Sequence, residues 1–386
     1  MFKYFSFLSK VILITATVMF FGCDSQQAPK TTFHKYISDV QFLADMALTT
    51  DGGILITGLR DTPIGDSLVD GDIVLLKLAE DGDVLWSRTY ELADNYAYGQ
   101  SVLETSDGYV ILAYSSDDTS DQGDMQLFKT DKNGNTLWSK TYHTTLDEYV
   151  SSVRSTQDGG ILVLGWVRAQ GIYLCKATAN GDTLWTKIIV GTTAYTAFSL
   201  TNEPNGSFIM TGSVFQNGKS EMYVMRIDGN GNQLLFRTYG FPNHNAYSDN
   251  CVVTGDGGFV LAGEKDGDLF VLRANSNGDT LWTKQIGGTF EPTGQSGESI
   301  MITKESDMVI AGITQQKVGD WQDALVIRFS DDGNILWSKT FGDSNTYNDR
   351  AFRIKEYRNS YLIGGVQYGV VLQSFLLRMN TDGEIE

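Results

Sequence analysis

Apolar and polar positions alternate in short runs along most of the chain, and each run ends at a turn rich in Asp, Asn and Gly. The stretch 129–140 shows the pattern: Lys129 ends one apolar run, a polar turn holds Gly134, and a second run leads to Trp138. Alternation with a period of two predicts β-strands, and an Asn-Gly or Asp-Gly turn between such runs predicts a hairpin. The interior of the chain is therefore predicted to consist of β-strands joined by tight turns.

The same hairpin pattern returns along the chain, each time with a basic residue, a turn glycine and an aromatic residue in that order. Successive turn glycines lie 52, 47, 50, 47, 55 and 50 positions apart. A regular period of this size predicts a repeat architecture. The copies are Lys77…Gly82…Trp86, Lys129…Gly134…Trp138, Lys176…Gly181…Trp185, Arg226…Gly231…Phe236, Arg273…Gly278…Trp282, Arg328…Gly333…Trp337 and a seventh that starts at Arg378…Gly383.

Each repeat also carries a second turn, as in Asp51-Gly52-Gly53, followed by a short apolar strand that ends in glycine. Six of the seven copies keep that glycine, and the second repeat has Tyr114 instead. In the third repeat the pattern predicts strands over 150–156, 160–166, 172–177 and 183–189. Four antiparallel strands per repeat are typical of a propeller blade, which protects its edges by radial closure. The predicted fold class is all-β: a seven-bladed β-propeller over residues 33–386.

Ring closure is predicted from the two ends of the repeat region. The last repeat lacks a fourth strand, whereas residues 33–37 stand before the first repeat without a partner of their own. Aligned with Trp138-Ser139-Lys140, that segment places Phe33 at the aromatic position and Lys35 at the basic one. We expect residues 33–37 to pair with the last blade as its outer strand, so that the N-terminal strand closes the ring.

The spacing Asp131-x-x-Gly134-x-x-x-Trp138 resembles the repeat of quinoprotein-type, tryptophan-docking propellers. It is also similar to the repeats of propeller lipoproteins of bacterial envelopes, including the one that assists outer-membrane barrel assembly. Those relatives often have eight blades, and the adjacent-cysteine feature of many quinone-dependent dehydrogenases is missing here, so that activity is not expected. The resemblance implies that the repeat aromatics are structural and pack between blades: Trp86, Trp138, Trp185, Phe236, Trp282 and Trp337.

The first residues differ from all that follow. A lysine-flanked apolar run over residues 1–22 predicts a secretory signal peptide. Phe21-Gly22-Cys23 resembles a bacterial lipobox, whose cysteine becomes the lipidated first residue; an ordinary signal peptide beside a cysteine is the alternative. We expect lipidation at Cys23, a polar tether over 23–32, and an exported protein anchored at the outer membrane or cell surface rather than the inner membrane.

The net charge disfavours two classes of binding partner, and the positions of the cysteines predict whether they form a disulfide. The net charge of −18 makes nucleic acid and anionic membrane surfaces poor partners, so membrane contact is expected through the lipid anchor only. Cys175 and Cys251 fall in apolar strand runs of different repeats, which predicts two buried thiols rather than a disulfide. We expect a monomeric propeller.

Strand direction places the candidate ligand site. The turns between strands one and two and between strands three and four share one face, and the loops of unequal length share the other. Variable loops on a rigid scaffold commonly carry function. Aromatic rings beside hydrogen-bonding groups suit sugar rings or peptide segments. The candidate ligand-binding residues on this variable face are Tyr96, Tyr98, Asp147, Tyr149, Trp166, Arg168, Tyr195, His244, Tyr247, Trp321, Tyr347 and Asp349.

Metal and catalytic patterns are weak. Asp131–Asn135 and Asp228–Asn232 begin like calcium loops but lack the bidentate Glu at the twelfth position, and a tight hairpin turn needs the same residues. Asp117–Asp124 is a looser calcium candidate. The three histidines have no zinc-like spacing, and no Ser stands in a nucleophile elbow. We therefore expect no cofactor and no metal, with calcium as the alternative, and name no catalytic residue.

These observations favour a non-catalytic protein- or glycan-binding or assembly module of a bacterial envelope. The first alternative is an enzyme, a hydrolase or lyase, that acts on extracellular polysaccharide through acids on the variable face, since any two loop acids can converge across a propeller. The second alternative is a mainly structural envelope protein. A fold of this kind hosts many functions, so only the site can separate these alternatives.

Overall fold

A computed structural model describes residues 34–64, 68–92, 95–117, 123–142, 148–168, 170–190, 195–287, 296–315, 322–342, 347–369 and 372–386. The chain divides into two compact units, residues 1–31 and 32–386, and all of these ranges lie in the second unit. They form 28 strands in seven four-stranded antiparallel sheets. None of them forms a helix that is long and apolar enough to cross a membrane. The predicted seven-bladed β-propeller is confirmed.

Each blade takes four strands, with strand one innermost and strand four outermost. Blades one to three consist of β2 Phe42–Leu48, β3 Ile54–Ile64, β4 Leu68–Leu78 and β5 Val84–Tyr90; β6 Asn95–Thr105, β7 Gly108–Asp117, β8 Gly123–Thr130 and β9 Thr136–Tyr142; β10 Glu148–Ser155, β11 Ile161–Val167, β12 Gly171–Ala177 and β13 Thr183–Val190. The strands predicted for the third repeat therefore agree with the structure to within about two residues, the usual scatter of strand ends.

The remaining blades follow the same order. Blades four to seven consist of β14 Tyr195–Asn202, β15 Phe208–Gln216, β16 Lys219–Ile227 and β17 Gln233–Tyr239; β18 Ala246–Val253, β19 Phe259–Lys265, β20 Asp268–Ala274 and β21 Thr280–Ile286; β22 Ser296–Ile302, β23 Met308–Gln315, β24 Gln322–Phe329 and β25 Ile335–Phe341; β26 Asn348–Tyr357, β27 Ser360–Tyr368, β28 Leu372–Asn380 and, as the outer strand, β1 His34–Ile37.

The N-terminal strand closes the ring, as predicted. β1 pairs antiparallel with β28, with His34 opposite Leu377 and Ile37 opposite Ser374. Lys35 lies 2.5 Å from Asp83 of blade one, and Lys140 makes the equivalent 2.5 Å contact with Asp182 between blades two and three. The closing strand therefore makes the same contact with its neighbour as an ordinary outer strand does.

The core lies between the blades. Seven clusters of buried side chains fill the seven boundaries between neighbouring sheets, and aliphatic residues of strands one to three supply most of each cluster. Cys175 and Cys251 are buried, unbridged thiols in two of these clusters, and burial raises the pKa of Cys251 to about 12. Apolar burial at every boundary is the main force that holds such a ring together.

The inner strands share one irregularity. Each of the seven first strands contains a β-bulge at the same place, at Ala44 in the first blade and Phe352 in the last. A bulge bends its strand and leaves one residue unpaired. Adjacent first strands contact each other around the ring and enclose a central channel. The bulge explains the strand-two glycine, because a Cβ at Gly58 would collide with the carbonyl oxygen of Phe42.

The glycine of the second repeat requires a correction. Its first turn is one residue shorter than in blade one, because four residues separate the paired Glu104 and Tyr109 whereas five separate the equivalent pair Leu48 and Ile54. Ala113 therefore takes the position of the strand-ending glycine, opposite Gly99, and Tyr114 follows it. Tyr114 is thus an additional aromatic residue and not a replacement for glycine.

Candidate functional site

The two faces of the ring differ in construction. The short-turn face carries the turns between strands one and two and between strands three and four. The variable face carries the other connections and therefore includes the start of each first strand and the end of each second strand. Four candidate residues, Tyr96, Tyr98, Tyr149 and Trp166, lie at such strand ends in blades two and three.

Five aromatic rings form a continuous row on this face. We call Tyr96, Tyr98, Tyr114, Tyr149 and Trp166 the aromatic ladder. Successive ring centroids lie 6.1, 5.4, 6.4 and 3.9 Å apart, and the last two rings are stacked at an interplanar angle of 7°. The structure therefore brings four separately predicted residues together and adds Tyr114, which the sequence analysis did not place in the site.

Local strand pairing builds the aromatic ladder. Tyr98 pairs with Tyr114 in blade two and Tyr149 with Trp166 in blade three, so each blade contributes one cross-strand aromatic pair. Such pairs stabilise a sheet by about 0.2 to 1 kcal/mol each. Tyr114 joins the two pairs across the blade boundary. It lies over Gly123, where any side chain would collide with its ring, so this close approach requires the glycine.

All five rings are half-buried, so the aromatic ladder is anchored in the blades and still reaches the surface. Burial raises the pKa of the Tyr98 phenol far above its usual value, and the neighbouring phenols of Tyr96, Tyr114 and Tyr149 add to the rise. Tyr98 is therefore neutral throughout the physiological range. A neutral, partly desolvated row of rings with polar tips suits a ligand that has both apolar faces and hydroxyl groups.

The other candidates are dispersed. Tyr195 packs against Tyr223 and Phe236 in the core between blades three and four, with ring centroids 5.7 and 6.3 Å away. His244 is exposed and bonds through Nδ1 to the carboxylate of Asp266. Tyr247 is half-buried opposite Glu264.

Five further candidates lie elsewhere on the variable face or outside the described residues. Arg168 is exposed beyond the end of β11. Tyr347 packs against Gly369 in the last blade, where Asp349 is buried and accepts a 3.0 Å hydrogen bond from Gln367 Nε2. Asp147 and Trp321 lie outside the described residues, as does Cys23.

Three carboxyl groups converge on the opposite side of the variable face. Asp249 and Glu298 occupy the bulge position of adjacent inner strands, and Glu264 lies on β19 beside them. Burial raises the pKa of Asp249 well above its usual value, and the charges of Glu298 and Glu264 raise it further. Burial also raises the pKa of Glu264. Neighbouring carboxyl groups, at least one of which has a raised pKa, are the arrangement that acid–base chemistry on a glycoside uses.

In the two calcium-like turns, the aspartate carboxylate accepts hydrogen bonds from backbone N–H groups of the same turn. Asp131 accepts 2.8 Å hydrogen bonds from the backbone N–H of Asn133 and of Asn135, and Asp228 accepts the same pair from Asn230 and Asn232. Within the described ranges, no group of three or more His, Cys, Asp or Glu side chains is arranged to hold a metal ion. Residues 118–122 of the third calcium candidate lie outside those ranges.

The repeat aromatics dock onto the next blade. The indole of Trp138 lies against Gly181, the turn glycine of blade three, which has a φ of +76°. Tyr142 donates a 2.6 Å hydrogen bond to the carbonyl of the same glycine. Positive φ and close aromatic contact both favour glycine there. Half-burial at the outer edge is shared by all six aromatics: Trp86, Trp138, Trp185, Phe236, Trp282 and Trp337.

The short-turn face carries an ion pair that the sequence analysis did not predict. The basic residue that ends strand three reaches back to the acid of the first turn, as in Lys77–Asp51 at 2.7 Å and Arg273–Asp256 at 2.7 Å. The equivalent pairs are Lys129–Asp107, Lys176–Asp158, Arg226–Glu203 and Arg328–Asp307. The signal was present in part, because the basic partner recurs at a fixed position and six first turns hold an acid, although Glu203 and Asp307 stand at other turn positions than Asp51. These repeated pairs hold the turns and are structural.

Comparison with known proteins adds the fold alone. No protein-family model matches the chain, and no curated protein matches its sequence. Among solved structures it is similar to a protein of unknown function from Bacteroides caccae, with 14% identity over 65% of this chain and 84% of that one and a TM-score of 0.40. It is also similar to Sqt1 from Chaetomium thermophilum, with 9% identity over 90% of this chain and all of that one and a TM-score of 0.50. At such identities a likeness concerns architecture, and the chain is a seven-bladed β-propeller.

Proposed function

We propose that this protein is a non-catalytic binding module of a bacterial cell envelope and that it holds a glycan on the aromatic ladder. The observation that carries the proposal is the row of five contacting rings on the variable face, with centroid spacings from 3.9 to 6.4 Å. The apolar faces of sugar rings pack on aromatic side chains, and phenol groups supply hydrogen bonds to sugar hydroxyls.

The surroundings of the aromatic ladder support a preformed site. Its rings lie at strand ends and not on long loops, and their mutual contacts fix their positions before a ligand arrives. Preorganisation of this kind reduces the entropy that a ligand must offset on binding. Neutral rings also suit neutral glycans, which the acidic surface does not repel.

The envelope location rests on the first residues of the sequence. The apolar run, the lipobox-like Phe21-Gly22-Cys23 and the polar tether support export, lipidation at Cys23 and attachment at the outer membrane or cell surface. The tryptophan-docking, quinoprotein-like repeat supports kinship with envelope propeller lipoproteins. Replacing Cys23 with Ser should move the protein from the membrane fraction to the released fraction; equal fractionation of both forms would refute the anchor.

The binding site is tested with the purified propeller and a panel of envelope glycans. We expect at least one glycan to bind the native protein, and Trp166→Ala and Tyr149→Ala each to weaken it by about tenfold or more, since stacking anchors dominate such sites. Tyr36→Ala is the matched control, because Tyr36 is an exposed aromatic on the outer strand of the last blade. If an envelope protein bound at these rings and no glycan did, the ligand of the site would be a protein and not a glycan.

A second candidate function rests on a different observation. The convergence of Asp249, Glu264 and Glu298, with raised pKa values at the first two, favours an enzyme that cleaves a polysaccharide by acid–base chemistry. The same glycan panel scored for cleavage separates the two functions. Cleavage that disappears in Asp249→Asn would establish the enzyme, and intact glycans that remain bound would support the binding module.

A further inference from the structure

The central channel contains a cavity that the proposed function does not use. Its volume is about 930 Å³, and the first strands of the blades form its wall. It opens on the short-turn face, where turn residues Asn205, Gly255 and Ser276 line its mouth. The cavity therefore lies at the end of the channel opposite the aromatic ladder, and a ligand in it would not touch the five rings.

Four basic side chains line this cavity, and one of them, Arg226, is paired with Glu203 at 2.8 Å, so three remain. Arg154 belongs to the inner strand of blade three, and Arg353 and Lys355 belong to that of blade seven. Arg154 and Lys355 stand at the same register position, three residues after the bulge, where the other inner strands carry Ala47, Leu103, Thr201, Val252 and Met301. Only these two of the seven inner strands therefore carry a charge at this position of the repeat.

Among the acidic residues that line the cavity, Asp45 is the one that pairs with these cations, and it already accepts several hydrogen bonds. Asp45 accepts a 3.1 Å bond from Arg353 Nε, a 2.9 Å bond from the Ser101 hydroxyl and a 3.0 Å bond from the Val102 N–H. Burial alone would raise the pKa of Asp45, but the charges of Arg353, Lys355 and Arg154 outweigh it, so the pKa is lowered and the group is ionised. The other two lining carboxylates have partners, since Glu203 pairs with Arg226 and Glu356 lies 3.4 Å from Lys304. The remaining cluster of three cations and Asp45 therefore carries two excess positive charges.

The remaining two cations have no carboxylate of their own. Among the described residues, Arg154 and Lys355 form no ion pair within 4 Å, and the Arg154 guanidinium donates a hydrogen bond to the neighbouring carbonyl of Val153. Burial lowers the pKa of Lys355, and repulsion from Arg154 and Arg353 lowers it further against the attraction of Asp45. Uncompensated cations in a partly dehydrated cavity are costly unless an anion joins them.

The geometry points to a site for a phosphate-class oxyanion in the central channel, bound between Arg154, Lys355 and Arg353. A doubly charged tetrahedral anion would balance the two excess positive charges, and its oxygens can accept from an arginine fork on one side and an ammonium on the other. The channel concentrates positive potential inside a protein whose net charge is −18, so the anion would be attracted to this cavity and repelled elsewhere. Its source is either free phosphate or the phosphate group of a larger molecule.

Calorimetric titration of the full chain tests the site at low salt and neutral pH. The probes are inorganic phosphate and glucose 6-phosphate, and saturable binding of either one supports the site and identifies the source. We expect Lys355→Met and Arg154→Gln each to weaken binding by about tenfold, as loss of one close charge pair does. Lys132→Gln is the matched control, because Lys132 lies outside the cavity and pairs with Glu104.

If a basic residue proves necessary for folding, a variant that should strengthen phosphate binding still tests the site. Asp45→Asn removes the competing carboxylate and should tighten phosphate binding severalfold. Absence of phosphate binding by the native chain, or equal binding by the Arg154→Gln/Lys355→Met double variant, would overturn the proposal. Equal affinity for malonate would overturn the phosphate class. Each outcome is independent of glycan binding, since no residue of the aromatic ladder lines the cavity.

Discussion

The two faces of this propeller are built from the same strands and differ in how often each arrangement is repeated. On the short-turn face, six blades form the same ion pair between the end of strand three and the first turn. On the variable face, the aromatic ladder occupies two adjacent blades and an acidic cluster occupies two others. Arrangements found in almost every blade hold the ring, and arrangements found once are candidates for recognition.

We expect the largest effect on stability when a buried cation on the short-turn face loses its carboxylate partner. The Lys77 side chain is 3% exposed, whereas that of Asp51 is 62% exposed. Asp51→Ala leaves the buried ammonium without its carboxylate and should reduce the free energy of unfolding by about 3 kcal/mol. Lys77→Met leaves only a solvated carboxylate and should reduce it by about 1 kcal/mol. Urea unfolding measures both, and a larger loss in Lys77→Met would contradict this asymmetry.

Loss of a repeat aromatic should follow. Trp138→Ala removes an indole that covers the turn of the next blade but is only half-buried. We expect it to reduce the free energy of unfolding by about 2 kcal/mol, below the range of about 3 to 5 kcal/mol for a fully buried tryptophan. Glycan binding should be unchanged in this variant. A loss of binding with normal stability would place the ligand at the outer edge of the ring.

The smallest effects should be pH shifts of opposite sign on the two faces. Hydrogen bonds from Lys176 and then Thr156 lower the pKa of Asp158 to about 2, so its stabilisation is complete above the unfolded pKa of about 4 and is lost as pH falls toward 2. The pKa of Asp249 is raised, so its ionisation opposes folding, and stability should increase as pH falls through its folded pKa toward about 4. Thermal unfolding midpoints from pH 8 to pH 2 check both, with Asp158→Asn and Asp249→Asn as the matched variants. Unchanged profiles in both variants would contradict the assignments.

Periodicity was enough to predict the fold because a repeated turn needs the same backbone conformation each time. The turn glycines from Gly82 to Gly383 all have positive φ, between 72° and 84°. The outer position of β1 was also predictable, since Lys35 occupies the place of Lys140 and makes the same contact. The residue pattern of this short segment therefore predicts the strand pairing that closes the ring.

The site was predictable only in part. Tyr98, Tyr149 and Trp166 were recognisable from their position on the variable face, but their mutual contact depends on strand register that only the folded sheets define. Tyr114 was hidden by a turn one residue shorter than its counterparts. The sequence analysis did not single out Arg154 and Lys355, which lie within inner strands. The feature that could have revealed them is a charge at a position that is apolar in most other repeats.

The affinity of Trp166→Ala for the glycan bound by the native protein tests the central claim most directly, with urea unfolding of the same samples as the control for folding. We expect an affinity loss of tenfold or more and a reduction in the free energy of unfolding of about 2 kcal/mol, as for the equally half-buried Trp138, so that the variant stays folded. Unchanged affinity in a folded Trp166→Ala variant would contradict the assignment of recognition to the aromatic ladder.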